Sequence, residues 1–447
     1  MREIAADAPL YTALRKYADA GMASFHTPGH KGHAPLAEWL DLSLDLTELP
    51  ATDSLYECDG VIRESERRAA DFFGAAGTAV SAGGCTLAIQ GMLAAFTHPG
   101  DTVLFSRNLH RSALHAAMLL DLRPRWLRHC RNAGEGLPGR VTPSEVETAL
   151  KQTPGAAAVY VTSPDYYGCL PDIAGIAAVC RAAGVPLLVD NAHGTHLIAF
   201  GSHPLTLGAS ATACSAHKTL PVLTGGAWLN CGDPTALPRL KPSMALFGST
   251  SPSYLTMASL DLARAWMQAE GEEACRRTAE DVSLLRETAR CVGFGLPGGV
   301  CDPLRLTLLT APVGWRGEEA AEWFRECGVE CEHSDAAAVI FIVTPFNTGE
   351  ELARLRGALE RFPARRPLRQ PDGEPETSFP DAVMTPREVL CAPRETVDTA
   401  RAAGRVAGEA ACPCPPGVPV VMPGEIISDA CVKILLNTGI HRINVIQ

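Results

Sequence analysis

A lysine and an aspartate follow two apolar runs of the sequence, in the positions where parallel sheets place reactive side chains. Asp190 ends the run Leu187–Asp190, and Lys218 follows the run Ala211–Cys214. Ligands of such sheets collect beyond the carboxyl ends of the strands. An amine there can bind an aldehyde as a Schiff base, and a carboxylate can keep the ring nitrogen of pyridoxal 5′-phosphate protonated. The two residues therefore predict a pyridoxal phosphate site, although most lysines are solvated surface charges.

A phosphate group needs hydrogen-bond donors near that amine, and two segments could supply them. The segment Ser81–Gln90, SAGGCTLAIQ, places two glycines ahead of an apolar helical stretch. Backbone N–H groups at a helix start bind anions, although a Gly-Gly pair before a helix is often only a turn. Beside Lys218, the side chains of Ser215 and His217 are further candidate phosphate donors.

Two histidines are candidate catalytic residues. His193 follows Asp190 closely, and its alternative is an ordinary hydrogen-bonded loop histidine. His110 follows the run Thr102–Phe105, where it could stack on a planar ring from the face opposite Lys218. The alternative for His110 is a surface histidine.

Short apolar runs that alternate with helix-like segments predict an α/β core between residues 78 and 230. The segment Ile173–Ala183 has helical spacing, and Ser253–Val292 predicts a long helical stretch. The predicted strands are Thr78–Ser81, Thr102–Phe105, Ala157–Val161, Pro186–Asp190, Ala211–Cys214 and Ala227–Asn230.

The remaining sequence predicts a second, smaller α/β layer and a C-terminal segment. Within the C-terminal segment we expect Pro386–Ala411 to be helical and Pro413–Pro423 to be a loop. In the smaller layer the predicted strands are Leu304–Leu309 and Ala338–Val343, and the predicted helices are Gly317–Cys327 and Thr348–Arg361. The predicted organisation is an N-terminal arm (1–50), a large domain (51–292), a small α/β domain (293–363), a linker (364–379) and a C-terminal segment (380–447).

Composition excludes several classes of protein. The net charge of −11, from 39 basic and 50 acidic residues, argues against a general nucleic-acid or anionic-membrane surface. No apolar run approaches the ~18 residues of a membrane span, and the N-terminus has no leader-like apolar region, so we expect a cytoplasmic protein. The cysteines are scattered along the sequence, which suggests that they are reduced thiols. Cys412 and Cys414 have no partner cluster for a metal, so no metal site is predicted.

Eight ordered motifs resemble the Orn/Lys/Arg decarboxylase family of fold-type-I pyridoxal phosphate enzymes, in its short form without an N-terminal wing. The resemblance covers nearly the whole chain. The matching segments are FHTPGHKG (Phe25–Gly32), Asp53–Ala75, TSPDYYG (Thr162–Gly168), DNAHGTH (Asp190–His196), SAHKTL (Ser215–Leu220), STSPSYLTMASLD (Ser249–Asp261), MTPRE (Met384–Glu388) and PPGVPVVMPGE (Pro415–Glu425).

The resemblance implies an aspartate-aminotransferase-like fold, with a mostly parallel seven-stranded sheet in the large domain and a smaller α/β C-terminal domain. It also implies Lys218 as the Schiff-base lysine, Asp190 as the partner of the ring nitrogen and His110 as the stacking residue. The phosphate contacts that it implies are Gly84, Cys85, Thr86, Ser215 and His217. Because this fold builds its active site at a dimer interface, the resemblance implies a homodimer or larger assembly in which Thr250 or Ser251 reaches the neighbouring subunit's phosphate. His30, Lys31 and Glu425 would then lie near the substrate.

Four departures from the family pattern bear on the phosphate and the substrate. Cys85 replaces a hydroxyl in the phosphate turn, and a thiol is the weaker donor. Asn191 stands where the family usually has Glu, Thr224-Gly225 replaces a Thr-Gln pair, and Tyr56 stands where a His is common.

The predicted function is decarboxylation of a basic L-amino acid (arginine, lysine or ornithine) to an amine of polyamine metabolism. An aminotransferase, lyase or racemase on the same scaffold is one alternative, because a fold does not determine its reaction. A catalytically inactive paralogue that binds pyridoxal phosphate is the other.

Overall fold

The computed structural model describes residues 2–21, 24, 26–28, 30–31, 42–127, 137–368, 379–412 and 418–447. Parts of three sequence predictions lie outside these residues. They are Phe25, Gly29 and Gly32 of the first motif, residues 369–378 of the predicted linker, and residues 413–417, which include Cys414.

The chain divides into two compact units, each built from two stretches of sequence. The first unit combines Met1–Phe96 with Leu188–Arg276, and the second combines Thr97–Leu187 with Arg277–Gln447. The α-helices are α1 (Arg2–Ala6), α2 (Pro9–Asp19), α3 (Val61–Phe73), α4 (Gly84–Phe96), α5 (Arg111–Leu119), α6 (Pro143–Gln152), α7 (Ile173–Ala183), α8 (Leu237–Ala245), α9 (Tyr254–Trp266), α10 (Glu272–Val292), α11 (Gly317–Glu326), α12 (Gly349–Glu360), α13 (Pro386–Cys391) and α14 (Asp429–Asn437). The strands are β1 (Gly77–Ser81), β2 (Thr102–Ser106), β3 (Arg123–Leu127), β4 (Ala158–Thr162), β5 (Leu187–Asp190), β6 (Ala211–Cys214), β7 (Ala227–Cys231), β8 (Arg305–Leu309), β9 (His333–Ser334), β10 (Ala338–Ile342), β11 (Arg394–Asp398) and β12 (Arg442–Ile446).

The main sheet has seven strands in the order β1-β7-β6-β5-β4-β2-β3. Strands β5 and β6 are parallel, as are β2 and its partners β3 and β4, whereas β7 runs antiparallel to both β1 and β6. The predicted α/β fold class with a mostly parallel seven-stranded sheet is therefore confirmed. Each of the six strands predicted from the core sequence is present, with boundaries shifted by one residue at most.

One strand of this sheet, β3, was not predicted from the sequence. Its five residues, RPRWL, include a proline and alternate between exposed and more buried positions. It pairs on one side only, with β2. Edge strands tolerate proline and polar residues because part of their backbone is unpaired, so their sequences lack the continuous apolar run of a central strand.

The long helical stretch predicted over residues 253–292 is present as α9 and α10, joined by a π-helical turn at Met267–Gly271. Helix α7 has the predicted boundaries. The Asp172 side chain caps its start by accepting a hydrogen bond from the Gly175 N–H at 2.9 Å, and Gly184 ends it in the left-handed conformation.

In the second unit, a three-stranded antiparallel sheet has the order β8-β10-β9. Its apolar face packs with α10, α11 and α12 around buried residues that include Phe324, Phe341 and Phe362. The strands and helices predicted for residues 304–361 are present, each within one residue of its predicted limits.

The prediction that Pro386–Ala411 is helical was wrong beyond its first turns. Helix α13 ends at Cys391, and Arg394–Asp398 forms β11, paired antiparallel with β12. Pro393 explains the end of the helix, because proline disfavours the helical conformation in the preceding residue, and Ala392 is extended. The apolar residues that follow have helical spacing by coincidence, and they pack around the β11-β12 pair instead.

Among the helices that the structure describes, none is both long enough and apolar enough to cross a bilayer.

Candidate active site

Lys218 ends a short 3₁₀ turn (Ala216–Lys218) that follows β6, and its amine contacts a histidine. Lys218 Nζ lies 2.8 Å from His193 Nε2, although the two residues are 25 positions apart in the chain. His193 stands in the loop after β5 and is buried. Because β5 and β6 are parallel neighbours, the loops that follow them leave the same edge of the sheet. Strand pairing therefore brings the lysine and the histidine together.

The Lys218–His193 contact joins two groups that can both carry a positive charge. Two cations at this distance would repel each other, whereas a neutral His193 nitrogen can accept a hydrogen bond from the Lys218 amine. His193 thus orients the Lys218 amine and can exchange a proton with it.

Asp190 is the last residue of β5 and is 1% exposed. Its Oδ1 accepts a hydrogen bond from the Ala192 N–H at 3.1 Å. Burying a carboxylate is costly unless hydrogen-bond donors or a positive charge face it. A protonated ring nitrogen is a partner of this kind.

The turn between β1 and α4 contains the predicted phosphate donors. The Ser81 hydroxyl accepts a hydrogen bond from the Gly83 N–H and donates one to the Gly84 carbonyl. Gly84 adopts a φ of 74°, which strongly favours glycine, and a Cβ built there would meet only open space. The Gly84 N–H donates to the Gly225 carbonyl at 2.8 Å. The next N–H groups of the first helical turn have no partner within α4, and Thr86 among them is exposed. This turn can therefore present N–H and hydroxyl donors to an anion.

Cys85, the unusual residue of this turn, is a neutral thiol. Burial raises the pKa of Cys85 well above its ordinary value, the Asp190 carboxylate raises it further, and Lys218 lowers it in part. The electrostatic influence of Asp190 and Lys218 on the Cys85 pKa is consistent with a position of the thiol near both side chains. A neutral thiol is a weak hydrogen-bond donor.

The segment around Lys218 contributes further polar groups. Ser215 is buried, and its hydroxyl lies 3.3 Å from His217 Nδ1, which is also 3.3 Å from the Gly226 carbonyl oxygen. Thr219, which the sequence analysis did not single out, is buried, and its hydroxyl has no hydrogen-bond partner among the described residues. Such an atom costs about 1–3 kcal/mol if it stays unsatisfied, so a ligand that accepts its hydrogen bond would stabilise the site.

A buried polar network behind Asp190 was also missed by the sequence analysis. The Cys214 thiol donates to Asn191 Oδ1 at 3.4 Å and accepts from the Asn230 amide at 3.5 Å. His203 Nε2 lies 3.4 Å from the same sulfur, and burial lowers the pKa of His203 to about 3, so this histidine is neutral. Asn191 therefore packs among neutral groups, whereas the glutamate common in the family would place a charge there.

Three further predicted site residues, His110, Thr250 and Ser251, are exposed in this structure. In the second unit, His110 is the exposed N-cap of α5, and its Nδ1 accepts a hydrogen bond from the Ser112 N–H. Its stacking role stays a prediction. Thr250 and Ser251 are exposed in the segment before α9. Their predicted contact with a neighbouring subunit's phosphate also stays a prediction.

The three predicted substrate residues contact protein groups in this structure. His30 Nε2 lies 3.2 Å from an Asp45 carboxylate oxygen, and the Lys31 amine donates to the His26 carbonyl. The carboxylate of Glu425 binds the guanidinium of Arg107 through two hydrogen bonds of 2.7 Å. The proposed proximity of these residues to substrate stays a prediction.

Asp165 is a buried carboxyl group of the second unit, in the turn after β4. Burial raises the pKa of Asp165 to about 6, although the Cys169 N–H and the Arg140 guanidinium lower it in part. The unfolded value is about 3.9, so the folded protein binds this proton more tightly and loses stability as the pH rises from about 4 to about 6.

We therefore expect Asp165→Asn, which cannot ionise, to raise the free energy of unfolding at pH 7 by about 1–3 kcal/mol. Below about pH 3 the variant and the native protein should be equally stable, because the carboxyl is then largely protonated in both the folded and the unfolded state. Urea unfolding at a series of pH values measures the effect. Equal stability of the two proteins at pH 7 would contradict the assignment.

Taken together, the residues of the first unit fit pyridoxal phosphate. Lys218 supplies the amine, Asp190 a buried carboxylate, and the start of α4 a set of anion donors, while the Thr219 hydroxyl has no hydrogen-bond partner within the part of the chain that the structure describes. A mostly parallel seven-stranded sheet with such residues at its strand ends defines the aspartate-aminotransferase-like class of fold.

Comparison with known proteins shows the family within that class. The major-domain profile of the Orn/Lys/Arg decarboxylases matches residues 8–292, and the profile of their C-terminal domain matches residues 374–438. An arginine decarboxylase of Bacillus subtilis (strain 168) is 31% identical over 95% of this chain and 92% of its own length. An arginine decarboxylase of Halalkalibacterium halodurans is 30% identical over 94% of this chain and 91% of its own length. The chain belongs to the Orn/Lys/Arg decarboxylase family.

A solved structure has the same fold. The lysine decarboxylase LdcF of Francisella novicida superimposes with a TM-score of 0.82 and 20% identity, over 98% of this chain and 81% of that chain. The match extends through nearly all of this sequence, which shows that the fold is shared beyond the main sheet.

Proposed function

We propose that this protein binds pyridoxal 5′-phosphate at Lys218 and removes the α-carboxylate of a basic L-amino acid. The product would be carbon dioxide and an amine that serves as a polyamine precursor. The observation that carries the proposal is the 2.8 Å contact between the Lys218 amine and His193, beside the buried carboxylate of Asp190.

Pyridoxal phosphate, when bound, supplies an electron-accepting ring that takes up the electron pair of the broken Cα–carboxylate bond. The protein residues have the other tasks. Asp190 holds the proton on the ring nitrogen, the start of α4 and the Ser215 hydroxyl bind the phosphate, and Lys218 anchors the cofactor. His193 holds a proton near Lys218 Nζ, ready for transfer.

Arginine is the first substrate to test. The relatives that are about 30% identical over nearly the whole chain include arginine decarboxylases of two species, whereas a constitutive lysine decarboxylase of Escherichia coli is 24% identical. Lysine and ornithine remain candidates because the family includes decarboxylases of all three amino acids.

A panel of amino acids, incubated with the purified chain and added pyridoxal phosphate, tests the proposal. We expect stoichiometric release of carbon dioxide and amine from at least one of arginine, lysine and ornithine. Transfer of the amino group to a keto acid without carbon dioxide release would overturn the proposed reaction. A protein that absorbs as a pyridoxal phosphate complex yet is inert toward the whole panel would instead be a binding paralogue.

His193→Gln tests the role of the histidine beside the lysine. Glutamine keeps a polar side chain but cannot take up a proton, so we expect kcat to fall by about 10²-fold or more while the cofactor still binds. Steady-state kinetics at saturating cofactor measure the effect. His98→Gln, at an exposed histidine, is the matched control. An unchanged kcat in His193→Gln would remove His193 from the catalytic residues.

We also propose a homodimer or larger homo-oligomer with a shared active site. In the single chain, Thr250 and Ser251 are exposed, and Leu246 near them is 74% exposed. Light scattering of the purified protein measures its mass in solution, and a monomer at assay concentration would contradict the shared site.

A further inference from the structure

Two cysteines of the second unit lie directly opposite each other on neighbouring strand-like segments. Cys169 ends the turn after β4, Cys301 lies just before β8, and the two residues form an isolated antiparallel bridge. The hydrogen bonds of this bridge come from the flanking residues. The Leu170 N–H donates to the Val300 carbonyl at 3.0 Å, and the Asp302 N–H donates to the Gly168 carbonyl at 2.7 Å.

This pattern makes Cys169 and Cys301 a non-hydrogen-bonded pair. In such pairs the Cα atoms are about 4.5 Å apart and the side chains are at their closest. Disulfides need Cα separations of roughly 4.4–6.8 Å, so the backbone already has a compatible spacing.

The surrounding backbone holds the two segments in this register. The Cys169 N–H donates to Asp165 Oδ1 at 2.8 Å, and the Thr307 hydroxyl donates to the Tyr167 carbonyl at 2.8 Å. Gly168 packs so closely on Arg305 that an added Cβ would come within 2.7 Å of the Arg305 Cβ. A bond between the sulfurs would therefore form within an existing arrangement, without a large movement of the chain.

The two thiols differ in charge environment. The Arg140 guanidinium lies 3.9 Å from Cys301 Sγ. The hydrogen bond from Cys169 lowers the pKa of Cys301, and the positive charges of Arg140 and Arg286 lower it further, against burial and the Asp165 carboxylate. The same hydrogen bond and burial raise the pKa of Cys169. Cys301 is thus the more readily ionised thiol of the pair.

Cys301 is also the more exposed of the two cysteines. Cys301 is half-buried, whereas Cys169 is 3% exposed. A small oxidant in solution can reach Cys301 first, and a thiolate beside an arginine is the reactive form of cysteine. Cys169 can then react with Cys301 Sγ once that sulfur is part of a mixed disulfide.

We propose that Cys169 and Cys301 are a redox modification site that forms a reversible disulfide with low-molecular-weight disulfides as the oxidant. The Cys301 thiolate attacks one sulfur of the small disulfide, forms a mixed disulfide and releases one small thiolate. Cys169, deprotonated as it reacts, attacks Cys301 Sγ and releases the second small thiolate. Two electrons pass from the cysteine pair to the oxidant, and the two protons of the cysteines go to the two released thiols.

The test uses the full chain, reduced, freed of reductant and equilibrated in glutathione buffers from fully reduced to fully oxidised. After acid quenching and alkylation, peptide mass mapping identifies the cysteine pairs. In the oxidised buffers we expect one peptide that links Cys169 to Cys301, with both sites lost to alkylation. Reduction should restore both. If both cysteines remain fully alkylated in every buffer, or if Cys301 pairs with another cysteine, the proposal is overturned.

Two single variants test the order of the steps. In Cys169→Ser the second step is blocked, so a glutathione adduct should accumulate on Cys301. In Cys301→Ser neither a link nor an adduct should appear at the buried Cys169. Cys291→Ser, at an exposed cysteine of α10, is the matched control and should keep the Cys169–Cys301 link. Circular dichroism verifies that each variant is folded. A folded Cys169→Ser without an adduct at Cys301 would overturn the proposed order.

A second readout does not depend on alkylation. The disulfide closes a long loop of chain, which restricts the unfolded state. We expect the oxidised protein to unfold at a higher temperature than the reduced protein, and we expect this shift to be absent in Cys169→Ser. Equal midpoints of the oxidised and reduced native protein would contradict a stabilising bond.

Discussion

Lys218→Ala is expected to abolish turnover and covalent cofactor binding together. The variant loses the amine that we propose anchors pyridoxal phosphate and exchanges a proton with His193, 2.8 Å away. We expect kcat to fall by at least about 10³-fold, because a covalent group and an acid–base group are removed in one substitution. The visible absorbance band of the protein-bound cofactor should disappear at the same time.

Lys151→Ala is the matched control for this experiment. Lys151 is an exposed lysine paired with Glu147 on the surface of α6, so its removal should change neither the absorbance nor the rate. Absorbance titration with pyridoxal phosphate and product formation measure the two effects. A Lys218→Ala protein that is folded and still active would refute the assignment of Lys218, and the proposed reaction would need another anchor.

Glu425→Ala is expected to produce the largest loss of stability. Glu425 and Arg107 are each 1% exposed, and both carboxylate oxygens accept hydrogen bonds of 2.7 Å from the guanidinium. Removing one partner leaves the other charge buried and uncompensated, which costs about 3–5 kcal/mol. Urea unfolding measures this loss.

Arg107 also links the segment after β2 to the C-terminal part of the second unit. Its guanidinium donates to the carbonyls of Pro419 and Val420, at 2.9 Å and 3.1 Å. The double variant Arg107→Met, Glu425→Leu removes both charges. We expect it to recover most of the stability that Glu425→Ala loses, because apolar replacements of a buried ion pair are often neutral or stabilising.

Glu395→Ala provides the control for Glu425→Ala. Glu395 pairs with Arg405 in the same C-terminal region, but both side chains are more than a third exposed. Exposed ion pairs contribute about 0–1 kcal/mol, so this variant should unfold almost like the native protein. Equal losses in Glu395→Ala and Glu425→Ala would contradict the claim that burial of the Arg107 charge causes the effect.

Most of the fold could be predicted from the sequence because the central strands are buried on both faces. Their apolar runs, such as Leu187–Asp190 and Ala211–Cys214, are short and bounded by polar residues or glycine. The secondary-structure prediction failed where the local sequence pattern did not match the position of the segment in the tertiary structure. Strand β3 is at the sheet edge and looks polar, and the segment after Pro393 has helical spacing but pairs as β11.

The positions of the principal candidate residues at the strand ends could be predicted for a related reason. Asp190 and Lys218 follow neighbouring strands, and parallel pairing brings the ends of such strands to one edge of the sheet. The contact of Lys218 with His193 was not predictable, because the sequence left His193 open between a catalytic and an ordinary loop histidine. The sequence analysis did not single out Thr219, because threonine is common in every environment. Only the burial of its side chain in the structure distinguishes it.

The sequence by itself determined the fold class, the family and the residues that follow each strand, because these depend on local apolar runs and on motif order. Only the tertiary structure determined which residues far apart in the sequence come into contact. The Arg107–Glu425 ion pair and the Cys169–Cys301 pair each join residues more than a hundred positions apart. Neither pair has a local pattern, because the partners are brought together by packing and strand register, which depend on the whole chain.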